Sequence, residues 1–236
     1  MRKPTFRAAR SVGADARDLS GVDGAQLAES TRVEAFSDGV LAIVVTLLIL
    51  DLKAPPGAGI GHGLARQWPA YVAYFGSFAY VGVIWVNHHY LFTRIKQVDV
   101  GLLWRNLFLL FTTSVLPFPT SVVSSAFQGG QNADQSTALV LYAAVAVTEV
   151  FSWLILFQYL SRHPELLHDA GHVRFFSAER RRSWAGITVF VICALVALVL
   201  PLAALILAAI VPFFYAATST GTVQRRAENP SAAKGN

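Results

Sequence analysis

Apolar positions along the chain gather into long runs parted by short polar stretches, without the strict alternation of a half-buried strand. The runs fall at about 33–51, 69–92, 100–124, 137–160, 184–200 and 202–219. A helix needs roughly 20 apolar residues to cross the ~30 Å hydrocarbon core of a bilayer, so the pattern predicts an all-α integral membrane protein with six transmembrane helices. The last two come from one apolar stretch too long for a single crossing, and Pro201 marks the hairpin because it cannot continue the hydrogen-bond ladder before it. The polar remainder reads as a disordered basic arm over residues 1–30 and a disordered tail over 221–236, flanking a membrane domain at 31–220.

Composition agrees with this reading, at 54% hydrophobic and 14% charged residues. The net charge of +5 does not point to nucleic acid, because the basic residues sit where topology signals belong. Seventeen of the 19 Lys and Arg fall on one side of the predicted membrane, and only Lys53 and Arg66 on the other. Both termini are therefore expected in the cytoplasm. Residues 1–30 contain no apolar signal-peptide core. Cys193 is the single cysteine, so no intrachain disulfide forms. In the loop around Arg162 to Arg182, His163, His168 and His172 stand near Glu165 and Asp169, but Pro164 and Gly171 interrupt the helix that would align them on a metal. No metal and no cofactor are expected.

Polar groups inside the runs carry the candidate chemistry. With this topology Arg32, Glu34, Ser37 and Asp38 on the first helix, Trp85 to His89 at the end of the second, and Arg105 and Asn106 at the start of the third share one depth. They read as one buried network, either anchoring the first helix or relaying protons. Glu149 lies near the centre of the fourth run, as a protonated acid bonded to a neighbouring helix or as a coupling-proton site. On the first helix Ile43, Leu47 and Leu50 fall at i, i+4 and i+7 with Thr46 at i+3. That stripe either packs against neighbours or, on the axis of an oligomer, forms aliphatic rings and a hydroxyl layer for a partly dehydrated cation. An intramembrane enzyme would need a nucleophile and base together near the midplane, and Ser152 beside Glu149 has no histidine to serve it.

Several of these residues form a pattern. Arg32-x-x-x-Phe36-Ser37-Asp38 followed by an aliphatic helix, Trp85-x-x-His88-His89, Asn106, Leu116-Pro117-Phe118-Pro119-Thr120 and Val211-Pro212-Phe213-Phe214-Tyr215 together resemble the transmembrane protein 175 family of potassium channels, in its single-repeat prokaryotic form. The resemblance implies a passive K+-permeable cation channel of the cell membrane, not an enzyme. It further implies a homotetramer whose first helices line a central pore without a carbonyl filter. By position it places the aliphatic constriction on Ile43, with Leu47 and Leu50 beyond it and Thr46 as the hydroxyl layer. Arg32, Phe36, Ser37, Asp38, Trp85, His88 and Asn106 would pin the pore helix. The expected partners are further copies of the chain, the bilayer, and K+ and other monovalent cations. Glu149 has no role in that pattern, which keeps open a proton-coupled transporter or proton-permeable channel using Glu149 and the Asp38/His88 network.

Overall fold

The computed structural model describes residues 12–55, 59–129, 131–169 and 173–218, which are helical apart from turns, loops and one isolated bridge. The described residues form eight α-helices: α1 (Val12–Leu47), α2 (Ile60–Arg66), α3 (Trp68–Phe92), α4 (Val100–Ser114), α5 (Pro117–Gly129), α6 (Asn132–Leu160), α7 (Val173–Ala197) and α8 (Pro201–Thr218). Among them, four stretches are long and apolar enough to cross a membrane: Glu29–Leu50, Trp68–Phe92, Val100–Gly129 and Asn132–Leu160. The apolar part of α8, Pro201–Phe213, is shorter. In α7 the first turns carry Glu179 and Arg180 to Arg182, which leaves a short apolar remainder.

Three boundaries differ from the sequence expectation. Helix α1 begins at Val12, inside the stretch expected to be a disordered arm. A helix already nucleated by its membrane half extends at little cost through residues of good propensity, such as Ala and Leu. Residues 1–11 and the expected tail at 221–236 lie outside the described residues. The third run, expected as one helix over 100–124, is two, α4 and α5. Pro117 brings no N–H and its ring crowds the carbonyl of Thr113. The chain tightens there into shorter-range bonds, Leu116 N–H to Thr113 O at 3.1 Å and Phe118 N–H to Val115 O at 3.0 Å. Finally, the connector at 162–182, expected to be partly helical, is continuous with the run expected from 184, as one helix from Val173. Pro201 falls at the hairpin as expected, opening α8 after a turn at Leu198 to Leu200.

Helix α6 packs on α4, α5, α7 and α8, while α3 packs on α1, α5 and α8. Where α3 meets α8 the backbones come close: a Cβ on Gly76 would stand 3.0 Å from Ala209 Cα. The loops after α3 and α6 are bonded to each other, Lys96 N–H to Leu166 O at 2.7 Å and His168 N–H to Arg94 O at 3.1 Å. The ends of α3 and α6 and the starts of α4 and α7 therefore share one end of the bundle. Helix α1 is two-faced. Ser37, Leu41, Val44 and Leu48 are each no more than 2% exposed and recur at i, i+4, i+7 and i+11, the spacing of one helix face. In lipid that face gains from packing and bonding rather than from leaving water.

Candidate ion pathway and its anchoring network

The polar entrance of α1 is tied to α3 by two rungs. Trp85 Nε1–H donates to Asp38 Oδ1 at 3.0 Å, and His89 Nδ1 meets Glu34 Oε1 at 2.9 Å. Glu34 and Asp38 are one turn apart, as are Trp85 and His89, and the helices run antiparallel, so each partner steps back as the other steps forward. The Trp85 and His89 rings stack with centroids 6.4 Å apart. Deeper in, Asn106 of α4 joins the same helices. Its Nδ2–H donates to Ser37 Oγ at 2.9 Å, and its Oδ1 lies 2.9 Å from His88 Nε2. Ser37 in turn donates to Val33 O at 2.9 Å on its own helix.

An amide oxygen only accepts, so His88 carries its proton on Nε2. The other nitrogen, Nδ1, is buried without a partner among the described residues. A second proton there would be a buried donor lacking an acceptor, so the site fits a neutral ring stacked on Phe92 at 4.5 Å. Of the expected anchoring residues, the structure brings together Ser37, Asp38, Trp85, His88 and Asn106. Arg32 and Phe36 stand apart from these bonds, exposed, on the wall of a groove of about 420 Å³ shared with Val33, Leu103, Asn106 and Leu107. Arg105 is elsewhere too: its guanidinium lies 3.8 Å over the Tyr159 ring and donates to Gly101 O at 2.7 Å. Glu34 and His89, expected at the same depth but not paired there, form the second rung, and the matched one-turn spacing of Glu34/Asp38 and Trp85/His89 signals that pairing.

The opposite face of α1 is bare. Ile43 is 60% exposed, Leu47 42% and Leu50 67%, and Thr46 is exposed beside them. With Phe36, Gly39 and Ala42 they make a continuous exposed stripe along the membrane half of α1 and the 3₁₀ turn Leu48–Asp51 that follows it. Thr46 donates its hydroxyl proton to Ile43 O at 2.8 Å, which leaves its oxygen lone pairs free toward the exposed side. A second polar cluster sits at the start of α4, where Asp99 Oδ1 accepts from Leu102 N–H at 2.7 Å and Oδ2 from Tyr159 Oη at 2.5 Å. Desolvation opposes ionisation of Asp99, but those two bonds outweigh it and hold the carboxyl below its ordinary range. Among the described residues no group of three or more His, Cys, Asp or Glu is placed to hold a metal. His172 lies outside them.

Residues 32–117 match the family described as Endosomal/lysosomal potassium channel TMEM175. A potassium channel of Streptomyces collinus is 40% identical to the chain over 141 residues, covering 58% of the chain and 68% of that protein. The chain belongs to the TMEM175 family. A solved TMEM175 homologue from Chamaesiphon minutus, described as a lysosomal potassium-selective channel homolog, superposes with a TM-score of 0.71 at 25% identity, over 82% of this chain and 99% of that one. The mouse endosomal/lysosomal proton channel TMEM175 is 32% identical over 177 residues, 70% of this chain but only 35% of that protein. TMEM175 proteins and these relatives are ion channels, not enzymes. The matched segment contains the whole exposed stripe of α1, both rungs and Asn106.

Proposed function

We propose that the chain is a potassium-permeable channel of the cell membrane, formed by four copies whose α1 stripes surround one axis. The observation that carries this reading is the contrast across α1. One face is clamped and buried, while the other leaves Ile43, Thr46, Leu47 and Leu50 exposed over about 10 Å of the membrane depth. Facing each other around an axis, the Ile43, Leu47 and Leu50 side chains form narrow aliphatic rings that a cation crosses only after shedding water, with Thr46 oxygens replacing part of its shell. Selectivity then follows from the cost of dehydration, and no resident cofactor or metal takes part. Ser37, Asp38, Trp85, His88 and Asn106 hold α1 at the angle that keeps the rings on the axis.

In this assembly α7 and α8 complete six crossings, and both termini lie in the cytoplasm, in keeping with the one-sided placement of Lys and Arg. The groove lined by Arg32, Phe36, Leu103 and Leu107 sits beside the stripe, where a neighbouring α1 would pass. The experiment is K+ and Na+ flux from liposomes carrying the purified chain. Ile43→Asn wets the narrowest ring, so flux rises and preference for K+ over Na+ falls; flux and preference equal to the unmodified protein refute the assignment. A second reading, proton permeation, is favoured by one observation, that the animal relatives are proton channels. A pH-sensitive dye inside the same liposomes separates the two.

A further inference from the structure

The bundle holds a carboxylate that neither the α1 stripe nor the anchoring network uses. Glu149 is 1% exposed on α6, eleven residues and so roughly 16 Å from the helix end at Leu160. Its Oε2 accepts from Tyr80 Oη at 2.6 Å and its Oε1 from Trp153 Nε1–H at 2.8 Å. Both donors are neutral. The basic residue nearby, Arg182, is directed elsewhere, with Nη1 at 3.2 Å from Glu179 Oε2 and Nη2 donating to Tyr215 O at 3.1 Å. Among the described residues neither carboxylate oxygen meets a cation, so only neutral donors hold the group in the bundle.

The space around it differs toward the two ends of the bundle. A cavity of about 50 Å³ is lined by Glu149, Tyr80 and Trp153 together with Glu179, Arg182 and Ser183, and the Arg182 and Glu179 side chains are 22% and 15% exposed. That volume admits water, which needs roughly 10–15 Å³ on this measure. Toward the other end of the bundle the space narrows: the Tyr80 ring lies 5.5 Å from that of Phe190, and the cavity at Gly76, Ser77 and Tyr142 is only about 10 Å³, room for at most one water. Beyond it Ser77 is bonded to Thr120 at 2.8 Å and to Tyr142 at 3.2 Å.

We propose that Glu149 is a proton-binding site, separate from the pore, loaded through this cavity only from the end of the bundle where α7 begins. The groups that face it are Tyr80 and Asn87 on α3, Tyr142 and Trp153 on α6, Glu179, Arg182 and Ser183 on α7, and Tyr215 on α8. Helix α4 comes no nearer than the Thr112 hydroxyl, 3.2 Å from Ser152, whose own hydroxyl donates to the Glu149 backbone carbonyl at 2.6 Å. Trp153 can only donate, so an added proton rests on Oε2, the Tyr80 side. The Tyr80 oxygen then accepts from Glu149, and its own O–H turns to the cavity water. An ionic bond between α3 and α6 becomes a neutral one. Helix α3 also carries Trp85 and His88, so the change bears on the element that holds α1.

The binding step stands without the channel reading; its effect on conduction rests on it. Infrared difference spectra of the full chain in lipid, recorded on acidification, are expected to show the carbonyl stretch of a buried carboxylic acid that is missing in Glu149→Gln. Tyr80→Phe, which removes one donor and little volume, is expected to keep the band and shift it. A band that is unchanged in both variants, or no band at all, overturns the site. If Glu149→Gln does not fold, Tyr80→Phe decides alone, since an unshifted band refutes the assignment. In planar bilayers the K+ current is expected to respond to pH on one side only and to lose that response in Glu149→Gln. A response to both sides, or one kept by a folded Glu149→Gln, overturns the one-sided site. Absence of any K+ current in the unmodified protein instead sinks the channel reading and leaves the infrared result in force.

Discussion

Removing the amide of Asn106 tests whether the α1–α3–α4 network is a bonded unit. Asn106 is 2% exposed and its partners Ser37 and His88 are 0% exposed. In Asn106→Leu, a change of similar shape, the two partners lose unequally. Ser37 keeps its bond to Val33 O at 2.9 Å, so it loses only a donor to its oxygen. His88 is left with a buried Nε2–H and nothing to receive it, which costs about 1–3 kcal/mol in general. Side-chain hydrogen bonds within membranes average about 0.6 kcal/mol and reach about 1.7, so the low end of that range applies. The expected loss is about 1–2 kcal/mol, roughly a five- to thirtyfold fall in the folded-to-unfolded ratio. His88→Leu also forfeits the stacking on Phe92, but the double variant has no orphaned polar group on either side. Its loss should therefore fall short of the sum of the singles by about 0.5–1.5 kcal/mol. Equilibrium unfolding in detergent micelles, followed by tryptophan fluorescence, measures all four corners of the cycle. Additivity within about 0.3 kcal/mol would show that Asn106 and His88 are neighbours without being partners.

Other perturbations separate helix packing from capping. Gly76→Ala sets a methyl 3.0 Å from Ala209 Cα and is expected to cost about 1–3 kcal/mol by forcing α3 and α8 apart, whereas Gly82→Ala on the same helix meets nothing within 4 Å and should gain about 0.5–1 kcal/mol; thermal unfolding of the pair reads both signs. Asp99→Ala removes the N-cap of α4, a loss of about 1 kcal/mol. Because the folded-state pKa of Asp99 is depressed, its contribution is fully present above its unfolded value near about 3.9 and disappears as pH falls through the folded one. Unfolding midpoints on the acid limb should thus flatten in Asp99→Ala, and an unchanged acid limb would refute that contribution.

Much of this fold was readable because membrane helices announce themselves by length and by the charges at their ends. The four longest apolar stretches and the Pro201 hairpin follow from that alone. The break at Leu116–Pro117 was hidden, since an apolar run continues through a proline without any change in hydropathy, and only the missing N–H of Pro117 marks it. The connector at 162–182 reads as partly helical, but the point at which α7 begins was hidden because charged residues in its first turns interrupt the apolar run. Within the site, the shared depth of Ser37, Asp38, Trp85, His88 and Asn106 was legible from topology. The positions of Arg32, Phe36 and Arg105 were not, because their rotation about the helix axis decides whether they face the network. Trp153 was within reach as a partner of Glu149, one turn along the same helix. Tyr80, on a distant helix, required the packing of the whole bundle.

Accessibility of Ile43 from the ion path tests the central claim most directly. In a protein whose single cysteine has been removed by Cys193→Ser, Ile43→Cys places one thiol per subunit on the exposed stripe. Treatment with a small, charged thiol reagent, with labelling verified by mass, should abolish most of the K+ flux from liposomes, because in the proposed tetramer four modified side chains would meet at the narrowest ring. Complete labelling with K+ flux unchanged would mean that this face of α1 looks at lipid or at protein, and the pore would have to lie elsewhere.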